Sequence, residues 1–101
     1  MLAVLITSRD QQSGEELGRD MTELVNKKRG ENEEVYCEIQ LIGPAEAAIS
    51  RINDMYRHVF YIKHADYQIL VEIKDILELF CKEKELKNQT VQYDFDPINT
   101  Y

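Results

Sequence analysis

The sequence is poor in cysteine, glycine and proline, and it has no long apolar run. Its two cysteines, Cys37 and Cys81, are too few for a disulfide scaffold or a structural zinc site. Both occupy apolar positions, which predicts reduced thiols inside a cytoplasmic protein. The four glycines are scattered, so a glycine-rich phosphate-binding loop is missing and nucleotide hydrolysis by this chain is not expected. No apolar run approaches the ~20 residues of a membrane span, and the first residues do not resemble a signal peptide.

Histidine is equally scarce, and its placement argues against a metal site. His58 and His64 lie six residues apart, on a predicted strand and at its exit. Two such residues make a poor ligand set, so we expect His58 in the core or at an edge, His64 at the surface, and no cofactor. Asp94 and Asp96, two apart on one strand face, could share a proton or a cation. They fit equally well as a solvated acidic edge.

Positive charge is also in deficit. The 101 residues contain 19 acidic and 12 basic side chains, for a formal net charge of −7. This balance argues against a protein that binds nucleic acid over its whole surface, but it allows a local basic face. The length predicts one domain, residues 1–97, with a loose tail at residues 98–101.

The first half of the chain predicts a strand, a helix and a second strand. Residues Leu2–Thr7 are apolar and β-branched, as in a central strand buried on both faces. Ser13 and Glu16 have the spacing of a capping box, which predicts a helix that starts there and ends with Gly30 at its C′ position. Strict alternation over Val35–Leu41 predicts a strand with one dry face.

The middle stretch is less uniform. The Gly43–Pro44 pair predicts the end of the strand before it, and residues 44–54 suit either a short helix or an ordered loop. Alternation returns over Tyr56–Lys63, which predicts another strand.

The last third predicts a helix and a strand. Asp66 is a candidate N-cap for an amphipathic helix that runs to about Leu86. Alternation over Val91–Asp96 predicts a final strand that Pro97 ends. The order is βαββαβ, and two right-handed crossovers would interleave into a four-stranded antiparallel sheet with both helices on one face. The sequence therefore predicts an α+β, ferredoxin-like fold.

Two groups of basic side chains are candidate nucleic-acid contacts. Lys27, Lys28 and Arg29 end the first helix and would form a patch with Arg51 if that helix end lies near residues 44–54. Alternatively, these cations only complement the helix dipole. The second group shares the open sheet face and mixes aromatic rings with cations: Tyr36, Arg57, Tyr61 and Lys63.

Aromatic rings beside cations on an open four-stranded sheet are typical of proteins that stack bases. The same face would also carry four acidic side chains that repel phosphates: Glu34, Glu38, Asp94 and Asp96. A mixed polar surface with cross-strand ion pairs is the alternative interpretation.

Three motifs in order then resemble one family, and the resemblance spans essentially the whole chain. The first motif joins Gly43-Pro44-Ala45 with Ala47, Ile49 and Arg51; the second is Tyr56-Arg57 followed by Ile62-Lys63; the third is Asp94-Phe95-Asp96-Pro97. Together they resemble the C-terminal domain of the PriA family, the bacterial primosomal helicases that restart DNA replication.

The resemblance implies a non-catalytic domain that helps to bind branched or single-stranded DNA, the single-stranded-DNA-binding protein and other primosome proteins. The parent helicase is an ATP-dependent 3'-5' DNA helicase, and its ATP, magnesium and zinc sites would lie in other parts of that protein. The expected phosphate contacts are Arg51, Arg57 and Lys63, and then Lys27, Lys28 and Arg29. The expected structural motif consists of Gly43, Pro44, Tyr56, Asp94, Asp96 and Pro97.

A stand-alone ferredoxin-like module is the competing hypothesis. Such a module would sense a small molecule or dimerise by pairing its sheet edges, and it would be indifferent to DNA.

Overall fold

The computed structural model of the chain describes residues 1–36, 38–52, 55–84, 86 and 89–95; at residues 35 and 44–52 it describes the backbone alone. The elements are β1 (Leu2–Ser8), α1 (Gln11–Glu31), α2 (Glu33–Tyr36), β2 (Gln40–Ile52), β3 (Met55–Lys63), α3 (Tyr67–Lys84) and β4 (Gln89–Phe95). The four strands form one sheet in the order β2-β3-β1-β4, and every neighbouring pair is antiparallel. The predicted α+β, ferredoxin-like fold is confirmed.

Both long helices pack on the same face of the sheet. Their core residues meet alternate residues of β1 and β3, which point to one side of the pleat. The buried side chains of this core cluster are Leu2, Val4, Ile6, Leu17, Met21, Val25, Ile39, Phe60, Ile62, Leu70, Ile73 and Leu77. Burial of these side chains is the main force that holds the layers together, at roughly 1.5–3 kcal/mol for each large one.

The two central strands follow the sequence prediction closely. β1 is buried along nearly its full length because β3 and β4 pair with it on either side. In β3, His58, Phe60 and Ile62 face the helices, whereas Val59 and Tyr61 pack with Leu5 on the opposite face. The predicted split of this strand into two faces is confirmed.

The predicted capping of α1 is wrong at both ends. The N-cap is Asp10, whose Oδ1 accepts from the backbone N–H of Gln12 at 3.3 Å. Ser13 lies inside the helix and donates its hydroxyl to Asp10 Oδ2 at 2.8 Å. At the other end Gly30 is helical, and the helix continues to Glu31 because Asn32 provides the cap.

The second strand lies further along the chain than predicted. Residues 33–36 form the short helix α2, and β2 begins only at Gln40. Residues 40–52 then pair along the whole of β3, from Gln40 opposite Lys63 to Ile52 opposite Met55. The stretch predicted as a helix or loop is therefore mostly strand, and the reason is tertiary: β3 needs a partner on its outer side.

The Gly43–Pro44 pair bends β2 without ending it. Gly43 has φ 95°, and the register shifts between Ile42 and Ala45. Glycine adopts that backbone conformation without a Cβ clash, and β2 is an edge strand, where a proline without an N–H is tolerated. The pair forms a bulge.

The last two elements agree with the prediction. Asp66 Oδ1 accepts from the N–H of Gln68 at 3.0 Å, so it caps α3 as expected. The helix ends at Lys84, slightly before the predicted end. β4 contributes Val91, Tyr93 and Phe95 to the core side.

Candidate nucleic-acid interface

An open cleft of about 680 Å³ lies at the end of the sheet where β3 exits and β2 begins. Four separate segments line it: the first residue, the last turn of α1, the approach to β2 and the exit of β3. The lining residues are Met1, Arg29, Glu38, Ile39, Gln40, Lys63, His64 and Ala65. The crossover from α1 back to the sheet edge brings residues from distant parts of the sequence together here.

Two cations from the two predicted basic groups meet in this cleft. Arg29 is half-buried in the last turn of α1, and its Nη1 donates to Asn26 Oδ1 at 3.1 Å, which holds the guanidinium in place. Lys63 is exposed at the end of β3, opposite Gln40 in the register. Among the described residues that line the cleft, Glu38 is the one acidic side chain. The cleft therefore has more positive than negative charge in a protein that is acidic overall.

His64 adds a hydrogen-bond donor to the same cleft. Its Nδ1 accepts from the backbone N–H of Asp66 at 2.8 Å, so in the neutral ring the proton lies on Nε2. Asp66 also caps α3, which fixes the turn that presents the imidazole. Lys63, His64 and Arg29 are thus groups that can donate to an anion.

The other predicted phosphate contacts lie away from this cleft. Arg57 lies on the same strand face as Lys63 but six residues earlier, about 20 Å along β3. Arg51 pairs with Tyr56 at the hairpin end of the sheet, and its side chain lies outside the described ones. The backbone of Arg51 is thus at the other end of β3 from the cleft that Arg29 lines, and the joint patch of Arg51 with the end of α1 stays a prediction.

The remaining α1 cations share the last turns with Arg29. Lys27 is exposed, and Lys28 Nζ lies 3.4 Å from Glu31 Oε2 in a surface ion pair. Such exposed pairs contribute little to stability. Lys27 and Lys28 lie near the C-terminal end of α1, where positive charge interacts favourably with the helix dipole. Their position is the one that the dipole interpretation requires.

The open sheet face differs from the prediction at one of its aromatic residues. Tyr36 belongs to α2 and packs against the core, so its predicted place on the open face is wrong. Tyr61 does occupy that face, where its ring packs against Leu5 and Val59. Ile42 stands directly opposite Tyr61 and is 45% exposed.

The predicted acidic pair is only partly described. Asp94 lies in β4 opposite Ala3, on the open face. Asp96 and Pro97, like Cys37, lie outside the described residues. Tyr56 pairs with Ser8 on one side and with Arg51 on the other, so it links three strands.

Within the described residues, no three histidine, cysteine, aspartate or glutamate side chains come close enough to hold a metal ion. No helix in that part of the chain has the length and apolar character needed to cross a bilayer.

Two features of the site could not be predicted from the sequence. The meeting of Arg29 and Lys63 depends on where the crossover ends, which no local pattern reveals. The contact of Tyr61 with Leu5 depends on the register between β1 and β3. The His64 hydrogen bond could have been suspected, because a histidine two residues before an N-cap is well placed to accept the cap's N–H.

Comparison of the chain with protein-family models and with curated proteins found no match.

Proposed function

We propose that this chain is a non-catalytic DNA-binding domain of the kind found at the C-terminus of PriA helicases. The observation that carries the proposal is the cleft in which Arg29 and Lys63 converge beside His64. Phosphate groups are bound by several donors on separate elements, and the two cations come from α1 and β3.

The fold and the motifs support the same conclusion independently of the cleft. A ferredoxin-like arrangement is what the resemblance requires, and the chain has it. The Gly43–Pro44 motif forms the bulge of β2, and Tyr56 joins β1, β2 and β3. These motif residues therefore have structural roles, which leaves DNA contact to the basic side chains.

The proposal assigns binding to this domain and catalysis to other parts of the parent enzyme. This domain positions DNA and primosome partners, including the single-stranded-DNA-binding protein, while the parent enzyme supplies ATP hydrolysis elsewhere. With a net charge of −7, the domain alone binds DNA weakly, because only the local cations attract phosphates. Since few phosphates are neutralised, the salt slope is shallow, at about −0.9 for each phosphate contact.

The test is binding of fluorescent forked DNA by the 101-residue chain between about 50 and 200 mM salt. We expect Arg29→Gln and Lys63→Gln each to weaken binding and to reduce the log–log salt slope by about 0.9, the value for one duplex phosphate contact. The matched control is Lys82→Gln, which removes an exposed cation near the far end of α3, about 22 Å along the helix from Tyr67.

Two results would overturn the proposal. One is the absence of salt-dependent binding at low salt; the other is an equal loss in the Lys82→Gln control. Light scattering on the same samples tests the competing hypothesis, since a tight homodimer indifferent to DNA favours the stand-alone module.

A further inference from the structure

The face of the sheet opposite the helices carries an apolar centre. Leu5 and Val59 belong to this face, and yet they are only 6% and 5% exposed. Tyr61 packs against both. The ring is thus held by packing in a partly buried position, and little side-chain freedom remains for a ligand to freeze out.

Ile42 extends this apolar surface across a second strand. It stands opposite Tyr61 in the β2–β3 register and is one of the few large apolar side chains with a high exposure, 45%. Cross-strand neighbours on one face lie about 5 Å apart. The partly exposed Tyr61 and the exposed Ile42 therefore lie side by side on this face.

Charge is arranged along β3 on either side of the ring. Lys63 follows Tyr61 by two residues, about 7 Å further along the same face, and it also lines the cleft that contains Arg29. Arg57 precedes Tyr61 by four residues on that face. Asp94, the acidic residue in this row, belongs to β4, and β1 separates it from Tyr61.

A ligand that matches this pattern needs a planar apolar face and an anion beside it. An unpaired nucleotide has both, whereas a duplex keeps its base faces stacked inside. We propose, on the basis of the proposed function, that Tyr61 stacks one unpaired base of a single-stranded segment while Lys63 pairs with the adjoining phosphate. The strand then runs along β3 towards the Arg29 cleft.

The experiment compares a fluorescent oligothymidylate with a duplex of equal length. Stacking on an aromatic side chain contributes about 1–3 kcal/mol per base, so Tyr61→Leu should weaken single-strand binding by roughly tenfold or more. Tyr61→Phe keeps the ring and should stay within about twofold of the wild type. Duplex affinity should be unaltered in both variants. Tyr67→Leu is the matched control, because Tyr67 is an exposed tyrosine that contacts Phe95 at the start of α3.

A second measurement avoids the risk that Tyr61→Leu does not fold. A single strand containing 5-iodouracil is photo-cross-linked to the wild-type chain, and the modified peptide is identified by mass spectrometry. Cross-linking at Tyr61 supports the proposal. Cross-linking confined to other tyrosines, or equal weakening of single strand and duplex by Tyr61→Leu, overturns it.

The two proposals fail in different ways. If forked DNA still binds with a salt slope that depends on Lys63 but Tyr61→Leu has no effect, stacking is overturned and the DNA-binding function stands. If neither DNA form binds at low salt, the function itself is overturned. A homodimer that dissociates in Tyr61→Leu would assign this face to a second copy and overturn stacking as well.

Discussion

His58 places an imidazole almost wholly inside the protein, where 4% of the residue is exposed. Neither ring nitrogen has a hydrogen-bond partner among the described residues. A carboxylate oxygen, Glu15 Oε1, lies 3.9 Å from Nε2, beyond hydrogen-bond distance. A buried polar group without a partner costs about 1–3 kcal/mol, so among the described residues it is mainly packing that holds this side chain in place.

The packing partner is a glycine of α1. A Cβ built at Gly14 would lie 2.8 Å from His58 Nδ1 and 3.3 Å from Ser8 Cβ. We therefore expect Gly14→Ala to destabilise the protein by roughly 1–2 kcal/mol, because overpacking outweighs the better helix propensity of alanine. Urea unfolding measures the change.

Gly30→Ala is the matched control at the other end of the same helix. Apart from its chain neighbours and its own helix backbone, no described residue comes within 4 Å of a Cβ built here, so alanine should be neutral or stabilise by up to about 1 kcal/mol. Gly14→Ala should also cost less in a His58→Ala background, where the clash is relieved. Equal effects at the two glycines would show that His58 does not limit this position.

At the scale of the element, β2 depends on its bulge. Gly43→Ala puts a Cβ at φ 95° on an edge strand, a conformation that disfavours L side chains. We expect a loss of about 1–3 kcal/mol. Thermal unfolding measures it, and Gly43→Asn should cost less because asparagine tolerates positive φ better. If alanine is accepted without loss, the bulge can form without glycine.

The elements show what local patterns could and could not predict. Alternation over Tyr56–Lys63 predicted β3 because that strand is dry on one side and only partly covered on the other. Alternation over Val35–Leu41 wrongly predicted a strand. Tyr36 packs against the core from the short helix α2, and Ile39 packs there from the segment that follows α2. Several conformations bury the same side chains, and only the need of β3 for a partner decided between them.

The start of α1 was likewise not predictable from local sequence patterns alone. Asp10 and Ser13 both precede acceptable helix starts, and they lie three positions apart. Contacts with Ser8 favour Asp10 as the N-cap. The Ser8 hydroxyl donates to the carbonyl of Asp10 at 2.8 Å and accepts from the N–H of Asp10 at 3.2 Å. This contact from the end of β1 fixes Asp10 as the cap. The same holds for the candidate site. Each cation could be identified in the sequence, but the sequence did not show that Arg29 and Lys63 line the same cleft.

At the scale of the whole molecule, two partly buried groups between α3 and β4 make stability depend on pH in the alkaline range. Burial raises the pKa of the Tyr93 phenol well above its ordinary value, and the neighbouring Cys81 adds to that shift. Burial also raises the pKa of the Cys81 thiol. Their Sγ and Oη atoms lie 3.9 Å apart beside the core.

The sign of the effect follows from proton counts. Above the ordinary pKa values of a free thiol and phenol, roughly pH 8.5 to 10, the unfolded chain loses these protons while the folded protein keeps them. Their contribution to stability is therefore fully present below that window and is lost as pH rises through it towards the raised folded values. For each group, the free energy of unfolding falls by at most about 1.4 kcal/mol per pH unit.

We expect the free energy of unfolding in urea to fall between about pH 9 and pH 11, and to fall less steeply in Tyr93→Phe, because phenylalanine has no proton to lose. Tyr67→Phe removes a phenol from a residue that is 54% exposed and serves as the matched control. Its pH profile should follow that of the wild type. If all three proteins gave identical pH profiles, the contact between Cys81 and Tyr93 would open to solvent before the fold is lost. Other groups in the chain would then set the alkaline limit of stability.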